Sequence, residues 1–284
     1  MVNKIIVLSL PRCGSSVITN LISSAGYHVY SDAGLLGPSS FNQDGYFEDT
    51  KFTLLNDQLI KMVYGNDYSF IYTPSLEDFK SKVTLPLNQT TFEYDLDDIY
   101  LPPNFENKLE DYIGCNWDVW GLTRMSFGNK WYKAYENYKV KNYEQILIAL
   151  KEIEDYVNNY NSNLVVKDPR IALILPLFKF NNCKYVFIKR SKEKTLQSMK
   201  KHYGKNLFTQ NYLPDTQYCS NHFNYKVKYQ DFNYYYKNYN SIIEENLKNK
   251  ESFILNYEDL SDKNVINNLN TFIGGEVNIN LLKL

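Results

Sequence analysis

An excess of charge of either sign is missing from this 284-residue chain: 31 basic residues face 32 acidic ones, for a net charge of −1. With no long basic block there is no electrostatic footprint for a phosphate backbone, so generic nucleic-acid binding is disfavoured. No run of about eighteen apolar residues occurs, and no transmembrane helix is expected. The amino end passes through a short apolar run into Pro11-Arg12, without the longer apolar region and small-residue cleavage site of a secretory signal. It reads as a first strand, and a cytoplasmic location is expected. Cys13, Cys115, Cys183 and Cys219 are scattered and lack C-x-x-C spacing. They read as free thiols rather than a disulfide frame or zinc site, and no metal is expected. Three histidines, His28, His202 and His222, fall at a helix end, in a Lys-rich helix end and in a polar loop, and none stands out as a general base. No internal repeat is visible.

What is present begins with "KIIVLSLPRCGSSVITNLISSAG". An apolar strand runs into Pro11-Arg12-Cys13-Gly14-Ser15-Ser16 and then into a helix with apolar residues at helical spacing, stopping at Gly26. Such a turn leaves several backbone N–H groups unpaired at the positive end of a helix dipole, which makes an anion site. Gly14 lets the backbone approach an oxyanion closely, Ser15 and Ser16 add hydroxyls, and Arg12 adds a fixed positive fork. The loop is not a Walker A loop, which needs a second Gly and a Lys that Val17 to Leu21 do not supply. Nor is Cys13 a phosphatase nucleophile by spacing, because the Arg required six residues on is Thr19. It reads as small loop filler.

The remaining chain alternates. "YEQILIALKEIEDYVNNY" carries one apolar helical face and precedes the strand "NLVVKDPR"; "CKYVFIKR" is a strand and "SKEKTLQSMKKHYG" the helix after it. "NYYYKNYNSIIEENLKNK" is a helix leading into the strand "SFILNYEDL", and "NVINNLNTFIGG" a short terminal helix. This rhythm predicts an α/β fold with a doubly wound parallel sheet and ligands at the carboxyl ends of the strands. At 44% apolar the chain can bury the core of one domain over 1–284. Residues 66–142 break the rhythm: rich in Tyr, Asn and Asp, with Trp117, Trp120 and Trp131, they read as a helical or irregular aromatic-rich insertion or lid. Lys167 and Asp168 follow a strand, with Arg170 beyond Pro169. These charges either contact ligand or form a local ion-pair cluster that holds the loop.

Taken together, "LPRCGSSVITNLI", "FIKRSKEKTLQSMKKHYG", "DGYFED", "VVKDPRIALILPLF" and "ILNYEDL" resemble the sulfotransferases that use 3′-phosphoadenosine 5′-phosphosulfate (PAPS), in particular bacterial members. The likeness spans most of the chain outside the insertion. It departs from the family pattern at Cys13, where Ser or Thr is usual, and at Ser191-Lys192, where Arg-x-Pro is frequent. No Arg-Lys-Gly element follows near the carboxyl end. The resemblance implies a P-loop-like three-layer α/β/α fold and a PAPS cofactor. Its phosphosulfate would be held by Pro11 to Ser16 and its 3′-phosphate by Arg190 and Ser198. It implies sulfuryl transfer to a hydroxyl or amine of a small-molecule or carbohydrate acceptor, with no metal required.

On that reading Arg12 sits at the sulfate and bridging oxygen, and Lys167 stabilises charge. Glu48 in "DGYFED" is the first candidate for the base, the alternative being that it only caps the helix that follows. Asp168 is the second, or else positions Lys167 or the acceptor. Two other readings stay open: a P-loop-like nucleotide kinase, and a non-catalytic nucleotide-binding protein of the same fold. Neither the acceptor nor the oligomeric state is legible in the sequence.

Overall fold

A computed structural model describes residues 2–35, 45–64, 73–83, 143–203, 207–208 and 230–282. Five strands form one all-parallel sheet: β1 (Lys4–Leu8), β2 (His28–Val29), β3 (Leu164–Lys167), β4 (Cys183–Lys189) and β5 (Ser252–Asn256), in the order β2-β3-β1-β4-β5. The central strand β1 pairs Ile5 with Val165 of β3 and with Lys184 of β4, so its neighbours on either side come from distant parts of the chain. The helices are α1 (Ser15–Ser24), α2 (Thr50–Tyr64), α3 (Leu76–Val83), α4 (Tyr143–Asn159), α5 (Lys192–Tyr203), α6 (Phe232–Leu247) and α7 (Lys263–Ile273).

The period of two in the strands sorts their side chains into two cores. Ile6, Leu8, Leu164, Val166, Tyr185 and Phe187 point to one face, against Phe52 and Leu55 of α2, Ile153 of α4 and Tyr239 and Ile242 of α6. Ile5, Val7, Val165, Val186 and Ile188 point to the other, against Ile18, Leu21 and Ile22 on α1 and Ile266 and Leu269 on α7. A strand buried on both faces reads as a continuous apolar run, which is why "KIIVL" shows no polar alternation after Lys4. The expected three layers of helix, sheet and helix follow directly.

Helix ends are set by local chemistry. Asp231 and Asp262 accept the N–H groups of Tyr234 and Asn264 at the starts of α6 and α7, and Gly274, at φ 76°, closes α7. The strand reading of the sequence needed one addition. His28–Val29 forms a two-residue edge strand, so His28 begins β2 rather than ending a helix. The region expected as an insertion, 66–142, lies largely outside the described residues, as do Trp117, Trp120, Trp131, Cys115, Cys219 and His222. Its described part includes α3, whose Phe79 and Val83 join the main core.

Candidate functional site

Three adjacent strands, β3, β1 and β4, deliver three basic side chains at their carboxyl ends: Lys167, Arg12 and Arg190. The loop after β1 turns back on itself, with Cys13 N–H donating to the Leu10 carbonyl. Arg12 (φ 67°) and Gly14 (φ 98°) both occupy left-handed backbone. Gly14 precedes α1 and offers no side-chain cap, and the first turn of α1 carries no acidic residue. The leading N–H groups of α1 therefore lack intrahelical partners and an acid to neutralise the dipole. Gly14 is also required sterically, since a Cβ there would lie 2.2 Å from Cδ2 of Tyr257.

Around this loop basic and hydroxyl side chains converge. The Arg12 Nε donates to Ser198 Oγ on α5 at 3.4 Å, and Arg190 Nη1 donates to the Arg12 carbonyl at 3.1 Å. The Arg190 guanidinium stacks on Tyr257, 4.7 Å from the ring centroid, while Tyr236 Oη donates to the Arg190 carbonyl at 2.7 Å. The Arg190 Nε is buried without a hydrogen-bond partner among the described residues. A half-buried guanidinium with an unmet buried donor suits an oxyanion. Ser191 N–H and Lys194 are both directed at Glu258, which brackets the start of α5.

Beside it lies a second cluster. The Lys167 ammonium forms a buried ion pair with Glu48 and also donates to the Tyr46 carbonyl at 2.9 Å and to Ser16 Oγ at 3.4 Å. Ser16 in turn donates to the Tyr46 carbonyl. Ser16 thus joins the two clusters, being both in the first turn of α1 and in contact with Lys167. Burial pushes the Glu48 carboxyl up from the ordinary range, with the Lys167 ammonium opposing that rise and Asp168 adding to it. Phe47, at φ 56°, makes the turn that presents Glu48 to Lys167. The helix-capping role open to Glu48 belongs instead to Asp49, which accepts from Phe52 N–H at 2.8 Å and Ala33 N–H at 2.7 Å. Burial lifts the Asp49 carboxyl to about 6.

Asp168 faces away into the loop that it holds. Its oxygens accept from Arg170 N, Nε and Nη2 and from Asn56 Nδ2, at 2.8–3.2 Å, and it starts the short helical turn Pro169–Leu173. This is the geometry of the local ion-pair alternative. Lys167 and Asp168, adjacent in sequence, therefore point to different neighbours. Cys13 is buried with Sγ 3.4 Å from Thr195 Oγ1, and burial pushes its thiol up to about 11. A thiol held protonated and turned into the core is filler, and it ties the loop to α5. His28 stacks on Tyr160 at 5.3 Å at the amino end of β2, remote from these groups.

Two side chains at the site went unnoticed in the sequence, Tyr257 and Tyr236. Tyr257 stands in "ILNYEDL", directly after β5, where position alone could have singled it out. Tyr236 is one of 26 tyrosines and carries no distinguishing local signal. Among the described residues no group of three His, Cys, Asp or Glu is arranged to hold a metal ion, and no helix is long and apolar enough to cross a membrane. Comparison with protein-family models, curated proteins and solved structures finds no match to this chain.

Proposed function

We propose that the chain is a PAPS-dependent sulfotransferase of P-loop-like fold, acting on a hydroxyl of a small-molecule or carbohydrate acceptor. The observation that carries this reading is the convergence of Arg12, Arg190 and Ser198 on an uncapped helix start, to which Ser16 joins a buried Glu48–Lys167 pair. Two anion subsites side by side suit a nucleotide with a 3′-phosphate and a 5′-phosphosulfate. Arg190 and Ser198 would take the former; the loop N–H groups, Arg12 and Ser16 would take the latter. The cofactor supplies an activated sulfuryl group.

In the transfer, an acceptor oxygen attacks sulfur in line as the bond from sulfur to the bridging phosphate oxygen breaks. The acceptor proton passes to Glu48. Its raised carboxyl is a better proton acceptor than an exposed one, and the Lys167 ammonium opposes that rise. Arg12 and Lys167 oppose the negative charge that builds on the sulfuryl oxygens and the leaving phosphate. Asp168 serves as a positioning residue, holding the loop from which Lys167 projects.

The test is calorimetric titration with 3′-phosphoadenosine 5′-phosphate (PAP), beside ATP plus magnesium and 5′-AMP. Selective binding of PAP is expected. Preference for magnesium ATP would overturn the reading in favour of a nucleotide kinase. PAP binding without transfer across a broad acceptor panel would favour a non-catalytic nucleotide-binding protein. Glu48→Gln should lower turnover about 10²–10⁴-fold while PAP affinity stays within about twofold; unchanged turnover would remove Glu48 as the base.

A further inference from the structure

Helix α6 sends two phenols to the segments that follow β4 and β3. Tyr236 Oη donates to the Arg190 carbonyl at 2.7 Å, at the end of β4, and Tyr239 Oη donates to the Pro169 carbonyl at 2.7 Å, just past the end of β3. Residues three apart on a helix share a face and lie about 4.5 Å apart along its axis. Between those two strands runs β1, whose loop carries Arg12 and Gly14. Asn246, on the same helix, donates to the Ala172 carbonyl at 2.7 Å, so α6 holds the turn after β3 at a second point. Tyr239 is buried and Tyr236 half-buried, and Ile242, Ile243 and Leu247 pack α6 onto the sheet.

We infer that Tyr236 and Tyr239 are positioning residues that fix the spacing between the Arg190 half of the site and the Lys167–Glu48 half. The inference rests on the sulfuryl-transfer reading, because only a reaction between groups held in the two halves makes that spacing matter. The ladder holds Lys167 against Val7 and Lys189 against Asn256, whereas Pro169 and Arg190 lie past these last paired residues of β3 and β4. A phenol from a rigid, packed helix holds each of the two carbonyls. One helix doing so past both strand ends adds a second constraint to the sheet pairing that already relates the two halves. In-line transfer is sensitive to such separation, since reacting atoms must meet within about 3–3.5 Å and a displacement of about 1 Å lowers rates about a hundredfold. Neither phenol needs to touch ligand. Tyr236 acts through the backbone of Arg190, and Tyr239 through that of Pro169, two residues from Lys167.

The experiment compares the full chain with Tyr236→Phe, Tyr239→Phe and the double variant, each of which removes one oxygen per substituted ring and leaves the ring to pack. Three quantities are read: PAP affinity by calorimetry, single-turnover loss of PAPS to PAP and sulfate with water as acceptor, and amide hydrogen exchange across 188–192 and 168–172. Tyr236→Phe should raise the PAP dissociation constant about tenfold and speed exchange at 188–192 only. Tyr239→Phe should leave PAP affinity within about twofold, slow the saturated single turnover about tenfold and speed exchange at 168–172 only. Equal shifts of affinity and rate in both single variants, with no local difference in exchange, would overturn the inference, as would wild-type values throughout. Absence of PAP binding by the wild-type chain would sink the sulfotransferase reading and, with it, the catalytic meaning of the spacing. Exchange would then decide whether the two tethers exist: unequal local opening supports them, and unchanged exchange overturns them.

Discussion

Glu48 and Lys167 form a demanding contact, since both charges leave water and each depends on the other. Removing one partner from such a pair strands the other, at a cost of about 3–5 kcal/mol, whereas removing both costs far less. Lys167→Met should therefore destabilise the chain more than the double variant Glu48→Gln/Lys167→Met does. A urea-unfolding cycle checks this, and additive losses would show that the pair is not coupled. Asp49, next in the chain, predicts a pH dependence. Its carboxyl is lifted from 3.8 to about 6 by burial, so between those values the folded state binds more protons than the unfolded one. Stability from this group is fully present below pH about 4 and is lost as pH rises through about 6. The raised Glu48 carboxyl contributes with the same sign. Urea midpoints measured from about pH 4 to about pH 7 should fall with pH, and Asp49→Asn should flatten part of that slope; an unchanged slope would remove Asp49 as its source.

At the scale of elements, the unit that matters is β1, its loop and α1. Gly14 combines a φ of 98° with a ring packed where its Cβ would be. Left-handed backbone costs a residue with a Cβ about 1–2 kcal/mol, before Tyr257 is displaced. Gly14→Ala should lower the melting temperature by several degrees and, by shifting Tyr257 from under Arg190, weaken PAP binding as well. Retention of both would mean that Tyr257 moves without consequence. The element's placement was legible in residues: an all-apolar strand, a Gly at the turn, serines without acids and a helical apolar face. What Tyr257 does there was not legible, because it arrives from the end of β5, late in the chain, and only sheet pairing brings it to Gly14.

For the whole molecule, a ligand bridging the ends of β3, β1 and β4 would tie together segments distant in sequence, and binding only to the folded state raises its stability. PAP at about a hundredfold its dissociation constant should stabilise the chain by about 2.7 kcal/mol, seen as a raised melting temperature. Arg190→Ala should remove most of that shift at the same PAP concentration; a full shift in the variant would place the 3′-phosphate elsewhere. The sequence by itself determined the alternation of strands and helices, the parallel character of the sheet and the glycine turn after β1 that leads into α1. Each depends on local pattern: apolar runs, helical spacing, and the steric freedom of glycine. Only the tertiary structure decided which charges meet. Adjacent Lys167 and Asp168 project to opposite duties, one toward Glu48 and the other toward Arg170 and Asn56. Likewise Asp49, not Glu48, caps α2, and Arg12 reaches Ser198 across 186 residues. Successive residues at a strand end point in different directions, and their partners are chosen by the order of strands in the sheet, which no local pattern encodes.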